Sequence, residues 1–178
     1  MPNVFEILDC PVRFDLDTAA LQRRYLQLSA AHHPDRFADP DAQAEAAERA
    51  AAINQAYQIL RIPERRAEAL LILLGGTSSS TDKSLPPELL MQMMEVREEL
   101  EQALASHDQA TLNRLRTWAR AQRTERLQHI GQILAQFFPP PDALAAQPSS
   151  DREALLKQAR LELNALRYFQ RMLEQLPG

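Results

Sequence analysis

The chain has 178 residues, of which 45% are hydrophobic and 25% charged, a composition typical of globular proteins. Its formal net charge of -4 argues against a protein that acts mainly by neutralising nucleic-acid phosphates. A single cysteine, Cys10, excludes an internal disulfide and any CxxC zinc or redox pair. Few glycines and abundant Ala, Leu, Gln, Glu and Arg predict an all-α fold.

The sequence predicts neither a secretory signal nor a membrane span. The segment from Met1 to Cys10 lacks a basic start and contains Glu6 and Asp9. The longest aliphatic run, residues 69–74, is too short to cross a bilayer. Together with the lone cysteine, these features predict a protein of the cytoplasm.

Short polar residues mark the first two predicted helices. Asn3 can cap a short helix that stops before Pro11, and Asp17 or Thr18 can cap the next helix. The second helix combines a basic face with an apolar stripe at helical spacing. The stripe consists of Leu21, Tyr25, Leu28 and His32.

Helical structure should stop near His33, because a residue before proline is disfavoured in the α region. It should resume after Pro40 and continue as a helix with its own core stripe. That stripe consists of Ile53, Ala56, Tyr57 and Leu60. A further helical segment, residues 64–74, is apolar enough to cover the resulting hairpin.

Composition changes near residue 80. Residues 75–84 begin with two glycines and carry no apolar side chain, which predicts a flexible connection. We therefore predict a domain at 1–75, a linker at 76–85 and a second domain at 86–178. The second domain should be a bundle of three helices, at about 87–105, 108–137 and 151–176, with a proline-rich loop from Phe138 to Ser150.

The tripeptide His33-Pro34-Asp35 lies between two predicted amphipathic helices. Proline stiffens such a turn, so that His33, Asp35 and the neighbouring Arg36 would be presented at a protruding tip, suited to contact another protein. An ordinary turn is the simplest alternative. A catalytic His-Asp pair is a weaker one, because no nucleophile or Gly-rich loop accompanies it, and His32 with His33 lacks further metal ligands.

The sequence around this tripeptide resembles the J-domain of DnaJ-type proteins in order, spacing and residue type. The resemblance covers residues 1 to about 75 and rests on YLQLSAAHHPDRF at 25–37 and INQAYQIL at 53–60. It implies that His33, Pro34 and Asp35 dock on a DnaK-type chaperone and stimulate its ATP hydrolysis. It assigns a second group of residues to the same partner: Arg23, Arg24, Gln27 and Arg36. At the position of Arg36, lysine is usual in the family.

The predicted helix at 87–105 has more apolar surface than one core face requires. Its core stripe consists of Leu89, Met93, Val96, Leu100, Ala103 and Leu104. Leu90, Met91 and Met94 fall about 100° to 200° away from Leu89 on a helical wheel. Either the helix is packed on two sides, or these residues form a partner surface with an acidic rim. Tyr168 and Met172 form a second pair predicted to lie outside the core.

LLMQMMEVREEL at 89–100 and LRYF at 166–169 resemble the C-terminal domain of the HscB co-chaperones of iron-sulfur cluster biogenesis. The resemblance implies that one face binds the cluster scaffold protein IscU and presents it to the DnaK-like chaperone HscA. The implied scaffold-binding residues are Leu90, Met91, Met94, Glu95, Arg97, Glu98 and Tyr168. Gln102 departs from the family pattern, and the lack of an N-terminal CxxC module indicates a bacterial form.

The sequence thus predicts an L-shaped, two-domain, all-α co-chaperone that is not an enzyme. We expect no metal, cofactor, nucleotide, nucleic acid or membrane among its ligands. Three alternatives remain open: a J-domain protein with an unrelated client, a helical adaptor in which the His-Pro-Asp tripeptide is incidental, and a helical hydrolase.

Overall fold

A computed structural model of the chain describes residues 2–138 and 149–176. In those ranges the protein contains helices and no strand, which confirms the predicted all-α fold. The α-helices are α1 Val4–Ile7, α2 Thr18–Ala31, α3 Pro40–Leu60, α4 Pro63–Leu73, α5 Pro87–Ser106, α6 Gln109–Ala135 and α7 Ser149–Gln175. Among the helices described, none is long and apolar enough to span a membrane.

Helix starts follow the local sequence closely. Asn3 closes a capping box with Glu6 at α1, and the Asp17 carboxylate accepts from two backbone N–H groups at α2. Proline occupies the first turn of α3, α4 and α5, where a missing N–H costs nothing. The expected caps Asn3 and Asp17 are therefore confirmed. Most of the expected proline-rich loop lies outside the described residues, but Ser149 and Ser150, assigned to that loop, are helical.

The chain divides into two compact units, Met1–Leu74 and Gly75–Gly178. In the first unit α3 packs against α1, α2 and α4. The largest apolar side chains of its core are fully buried: Phe5, Leu8, Leu60, Leu70 and Leu71. This packing includes contacts between α2, which precedes the His-Pro-Asp loop, and α3, which follows it.

In the second unit α7 packs along α6, and α5 packs against α6. The shared core consists of Leu100, Ala103, Leu112, Leu115, Ala119, Met172 and Leu176. A smaller cluster, Leu89, Ala165 and Phe169, lies at the start of α5. The ring of Trp118 meets that of Phe169 edge-on at 5.4 Å between centroids, an arrangement that aromatic pairs favour.

The segment before α5 differs from its expected character. Backbone oxygens of Thr77, Asp82 and Ser84 accept hydrogen bonds from Arg160 and Asn164 of α7. Residues 77–84 are thus attached to the second unit by their backbone, which revises the expectation of a flexible connection there. A count of apolar side chains could not reveal such backbone contacts.

Candidate functional site

The His-Pro-Asp loop contains a short 3-10 turn, Pro34–Arg36, that the sequence did not predict. His33 is in the extended conformation that proline imposes on its predecessor, and its Nδ1 accepts from the backbone N–H of Asp35 at 3.3 Å. The side chains of His33 and Asp35 are 59% and 89% exposed. The loop is therefore ordered by its own contacts while its charged groups face solvent.

Several bonds from the flanking segments hold this loop in place. Arg36 donates to the backbone oxygen of Ala30 at 3.2 Å, near the end of α2. Gln43 donates to the oxygen of Phe37 at 2.7 Å, and Asp39 caps α3. Each bond joins the loop to a helix end, so docking a partner here requires little further ordering of the backbone.

An aromatic pair joins the helices behind the loop. The rings of Tyr25 on α2 and Tyr57 on α3 stack with centroids 4.1 Å apart and planes 9° from parallel. The Tyr25 hydroxyl also donates to the side-chain oxygen of Asn54 at 2.8 Å. Both contacts cross from α2 to α3, and they hold the two arms that carry the loop in one arrangement.

The predicted basic face of α2 is divided in the structure. Arg23 and Gln27 are exposed, as is Arg36 in the loop. Arg24 is instead half-buried, and its guanidinium pairs with the Asp9 carboxylate at 2.5 Å. Arg24 therefore also ties α2 to the segment after α1, a structural contact that helical spacing alone cannot predict.

The loop offers little for catalysis or metal binding. Nδ1 of His33 lies 3.6 Å from the nearer carboxylate oxygen of Asp35, too far for a hydrogen bond. Across residues 2–138 and 149–176, no three His, Cys, Asp or Glu side chains are grouped as they would be to hold a metal ion. The charged side chains of the loop are presented to solvent.

The second site candidate is a ridge along α5, which we define as Leu90, Met94 and Glu98, one helical turn apart. Leu90 is 45% and Met94 66% exposed. Met91, at 68%, is exposed beside them. The prediction that these residues lie outside the core agrees with their exposure. Of the predicted core stripe, Leu89, Leu100 and Ala103 are buried, whereas Met93, Val96 and Leu104 are half-buried.

A groove lies on each side of this ridge. The first, of about 460 Å³, lies between α5 and α7 and contains Arg97 and Tyr168. The second, of about 540 Å³, lies towards α6 and contains Met91 and Glu95. The seven predicted scaffold-binding residues thus occupy one ridge and the walls of its two grooves. Tyr168, on a different helix from the other six, reaches the same surface.

Met172 corrects one prediction. It was expected to lie outside the core with Tyr168, but it is only 7% exposed and packs in the main core of the second unit. Its side chain forms part of the floor of the first groove, whose α7 wall also includes Arg171 and Gln175. Those two residues were not predicted, although their spacing from Tyr168 places them on the same side of a helix.

Charged side chains border the first groove. Arg97 and Glu101, one turn apart on α5, form an exposed ion pair at 2.8 Å. Arg171 lies on the opposite wall. The apolar floor and charged borders resemble the usual anatomy of a protein interface, in which a desolvated centre is surrounded by polar residues.

Comparison with known families divides the chain in the same way. The family described as "HSCB C-terminal oligomerisation domain" matches residues 85–177, and the "DnaJ domain" family matches residues 3–69. A co-chaperone HscB homolog of Mannheimia succiniciproducens is 31% identical over 170 residues, covering 93% of this chain and 96% of the relative. A homolog of Paraburkholderia xenovorans is 39% identical over 133 residues, covering 73% and 76%.

Solved structures have the same fold over nearly the whole chain. Chaperone HscB from Vibrio cholerae aligns with a TM-score of 0.75 at 30% identity, covering 98% of this chain and 95% of that one. The crystal structure of human co-chaperone HscB aligns with a TM-score of 0.80 at 26% identity, covering 99% and 81%. Both helical units thus have counterparts in each protein.

Proposed function

This chain belongs to the HscB family of J-domain co-chaperones, and we propose that it delivers an IscU-type scaffold to an HscA-type chaperone and stimulates that chaperone's ATPase. Its general role is that of a co-chaperone of DnaK-like chaperones in iron-sulfur cluster biogenesis. The family is one of co-chaperones rather than enzymes. The bacterial relatives support the cytoplasm as its proposed location.

The observation that carries the proposal is the ordered, solvent-facing His-Pro-Asp loop. His33 and Asp35 are exposed, and Arg36 ties the loop to the end of α2. A loop with this little freedom loses little entropy when it docks, while its charges orient the encounter. We place the chaperone contact here, with Arg23 and Gln27 as the exposed flank on α2.

The proposed scaffold contact is the α5 ridge with its two grooves. Leu90, Met91 and Met94 present large, flexible apolar side chains to solvent, and methionine repacks readily around an irregular partner. Glu95 and Glu98 add negative charge on the same helix and favour a scaffold surface with basic residues around an apolar centre.

Coupling between the two partners follows from linkage. If the co-chaperone binds the ATP-hydrolysing state of the chaperone more tightly than its other states, it shifts the chaperone towards hydrolysis. Because the co-chaperone brings the scaffold to the same chaperone, that shift depends on whether the scaffold, the client of the chaperone, is bound. The co-chaperone needs no chemistry of its own for this effect.

One reciprocal experiment tests the proposal on purified protein with an HscA-type chaperone and an IscU-type scaffold. His33→Gln should reduce the stimulated ATPase to the basal rate of the chaperone and leave scaffold affinity unchanged. A variant with Leu90→Ala, Met94→Ala and Tyr168→Ala should weaken scaffold binding at least about thirtyfold, equivalent to about 2 kcal/mol. It should retain the scaffold-independent stimulation.

A matched control is available in the first unit. Leu26 on α2 is 56% exposed, so Leu26→Ala removes a comparable exposed apolar side chain outside the ridge. It should leave scaffold affinity unchanged. Undiminished stimulation by His33→Gln would refute the chaperone contact, and undiminished affinity of the triple variant would refute the scaffold contact.

A further inference from the structure

Two polar side chains are buried in α7 at positions that its core face would normally give to apolar residues. Arg160 is 0% and Asn164 5% exposed, and they lie one turn apart. Burying a guanidinium or an amide is costly unless hydrogen bonds replace the lost water. Both residues find those bonds on a segment about eighty positions earlier in the chain.

We define this segment, residues 77–84, as the anchored segment. Nε and Nη2 of Arg160 donate to the backbone oxygen of Thr77 at 2.9 and 2.6 Å. Nδ2 of Asn164 donates to the oxygens of Asp82 and Ser84 at 3.1 and 3.0 Å. The segment is therefore held at its beginning and at its end by two neighbouring side chains of one helix.

Local bonds shape the segment between those two points. The backbone N–H groups of Thr81 and Asp82 donate to the oxygen of Ser78, which forms a turn. The Asp82 carboxylate accepts from both the backbone N–H and the hydroxyl of Ser84. The hydroxyl bond, the larger cause, lowers the pKa of Asp82. A segment without apolar side chains is thus folded by polar contacts.

The anchored segment leads directly into the helix that carries the ridge. α5 begins at Pro87, and its N-cap residue Pro86 provides no side-chain hydrogen bond. The intervening Leu85 packs against the cluster formed by Leu89, Ala165 and Phe169. Since α5 has no side-chain cap, its first turn is positioned by the packing of Leu89 and by the residues that precede the helix. Leu90, Met91 and Met94 follow within the first eight residues of α5.

We propose that Arg160 and Asn164 are positioning residues for the scaffold-binding surface: by anchoring residues 77–84 to α7, they fix the start of α5 and hold the ridge in its binding arrangement. The inference rests on the proposed scaffold contact. Neither residue lines the ridge or its two grooves. Their effect on binding is therefore indirect and passes through the anchored segment.

The test compares Arg160→Met, Arg160→Lys and Asn164→Ala in the full chain. Arg160→Met keeps an unbranched side chain but removes every donor, whereas Arg160→Lys keeps a charged donor. Gln158→Met is the matched control, because Gln158 is an exposed polar side chain on the same helix. Each variant is measured for hydrogen exchange at residues 78–90, for affinity to an IscU-type scaffold and for scaffold-independent stimulation of the chaperone.

Arg160→Met and Asn164→Ala should accelerate exchange at residues 78–90 and weaken scaffold affinity about fivefold to thirtyfold. Arg160→Lys should reverse part of both effects, and Gln158→Met should change neither exchange nor affinity. Scaffold-independent stimulation should stay at its original level in every variant. Far-UV circular dichroism and thermal melting separate a positioning role from unfolding of the second unit.

Faster exchange with unchanged scaffold affinity would overturn the inference, as would unchanged exchange in both variants. If Arg160→Met does not fold, Asn164→Ala, which removes a smaller side chain, decides by the same criteria. Failure of the unaltered protein to bind the scaffold would instead refute the proposed scaffold contact, and the positioning role with it. The exchange measurement needs no scaffold, so the two failures are distinguishable.

Discussion

Arg66 is a buried charge in the first unit. It is 5% exposed, donates to the backbone oxygen of Leu60 at 2.9 Å, and holds its guanidinium 5.2 Å from the centre of the Phe14 ring. Burial, the largest cause, lowers its pKa from the ordinary value. Because Leu60 ends α3 and Arg66 belongs to α4, the contact fixes the turn between these helices.

We expect Arg66→Met to destabilise the first unit by about 1–3 kcal/mol, because it leaves the buried Leu60 oxygen without this donor. Urea unfolding followed by circular dichroism measures the change. Arg65→Met is the control, since Arg65 is the exposed neighbour on the same helix. Equal effects of the two substitutions would mean that the buried hydrogen bond contributes little.

Individual buried polar residues were the least predictable part of the molecule. Arg66, Arg160 and Asn164 each meet a partner set by tertiary structure, and helical periodicity describes only which residues share a face. A signal was present in α7, where Arg160 and Asn164 occupy the same face as Leu163 and other buried residues. A polar pair one turn apart within an apolar stripe indicates a buried polar contact but does not identify its partner.

The helices themselves were predicted well because their ends are encoded locally. Asp108 is an example: its carboxylate accepts from the hydroxyl and backbone N–H of Thr111 and from the N–H of Ala110, capping α6. Asx caps and first-turn prolines need only their nearest neighbours. Met172 was misassigned because α7 contacts the rest of its unit over a wider arc than one stripe covers.

The cap at Asp108 should respond to acid. Its hydrogen bonds, foremost that from the Thr111 hydroxyl, lower its pKa below the ordinary 3.8. A carboxylate whose folded pKa is depressed stabilises the fold above the unfolded pKa, and that contribution disappears as the pH falls through the folded pKa. We therefore expect the cap to persist at pH 4 and to weaken at lower pH.

Titration of the Asp108 carboxyl carbon by NMR measures this pKa directly. Thr111→Val, which removes the hydroxyl donor and keeps the backbone bond, should shift the pKa of Asp108 upward towards its ordinary value. A pKa of 3.8 or higher in the unaltered protein would contradict the cap geometry, and an unchanged pKa in Thr111→Val would contradict the assigned cause.

At the scale of the whole molecule, the two candidate sites lie on different compact units. The His-Pro-Asp loop belongs to Met1–Leu74, and the α5 ridge belongs to Gly75–Gly178. The order of the two motifs along the sequence predicted this division, because each motif is recognised from the spacing of a few side chains. The attachment of residues 77–84 to the second unit could not be predicted in this way, because it depends on donors from α7.

This division predicts what separating the units should do. Residues 1–74 alone should stimulate the chaperone weakly, and residues 75–178 alone should bind the scaffold. A mixture of both at micromolar concentration should lack scaffold-dependent stimulation, because the covalent connection supplies an effective concentration of about millimolar that the mixture cannot reach. ATPase assays of the mixture and the intact chain make the comparison, after circular dichroism has verified that both pieces are helical.

The position of the cut provides the control. A piece that begins at Gly75 keeps the anchored segment, whereas one that begins at Leu85 loses it along with the bonds to Arg160 and Asn164. We expect the shorter piece to bind the scaffold more weakly, since α5 then begins without its attachment to α7. Equal scaffold affinity of the two pieces would show that the ridge is positioned by α5 packing alone. Full scaffold-dependent stimulation by the mixture would show that the connection has no role in coupling the two partners.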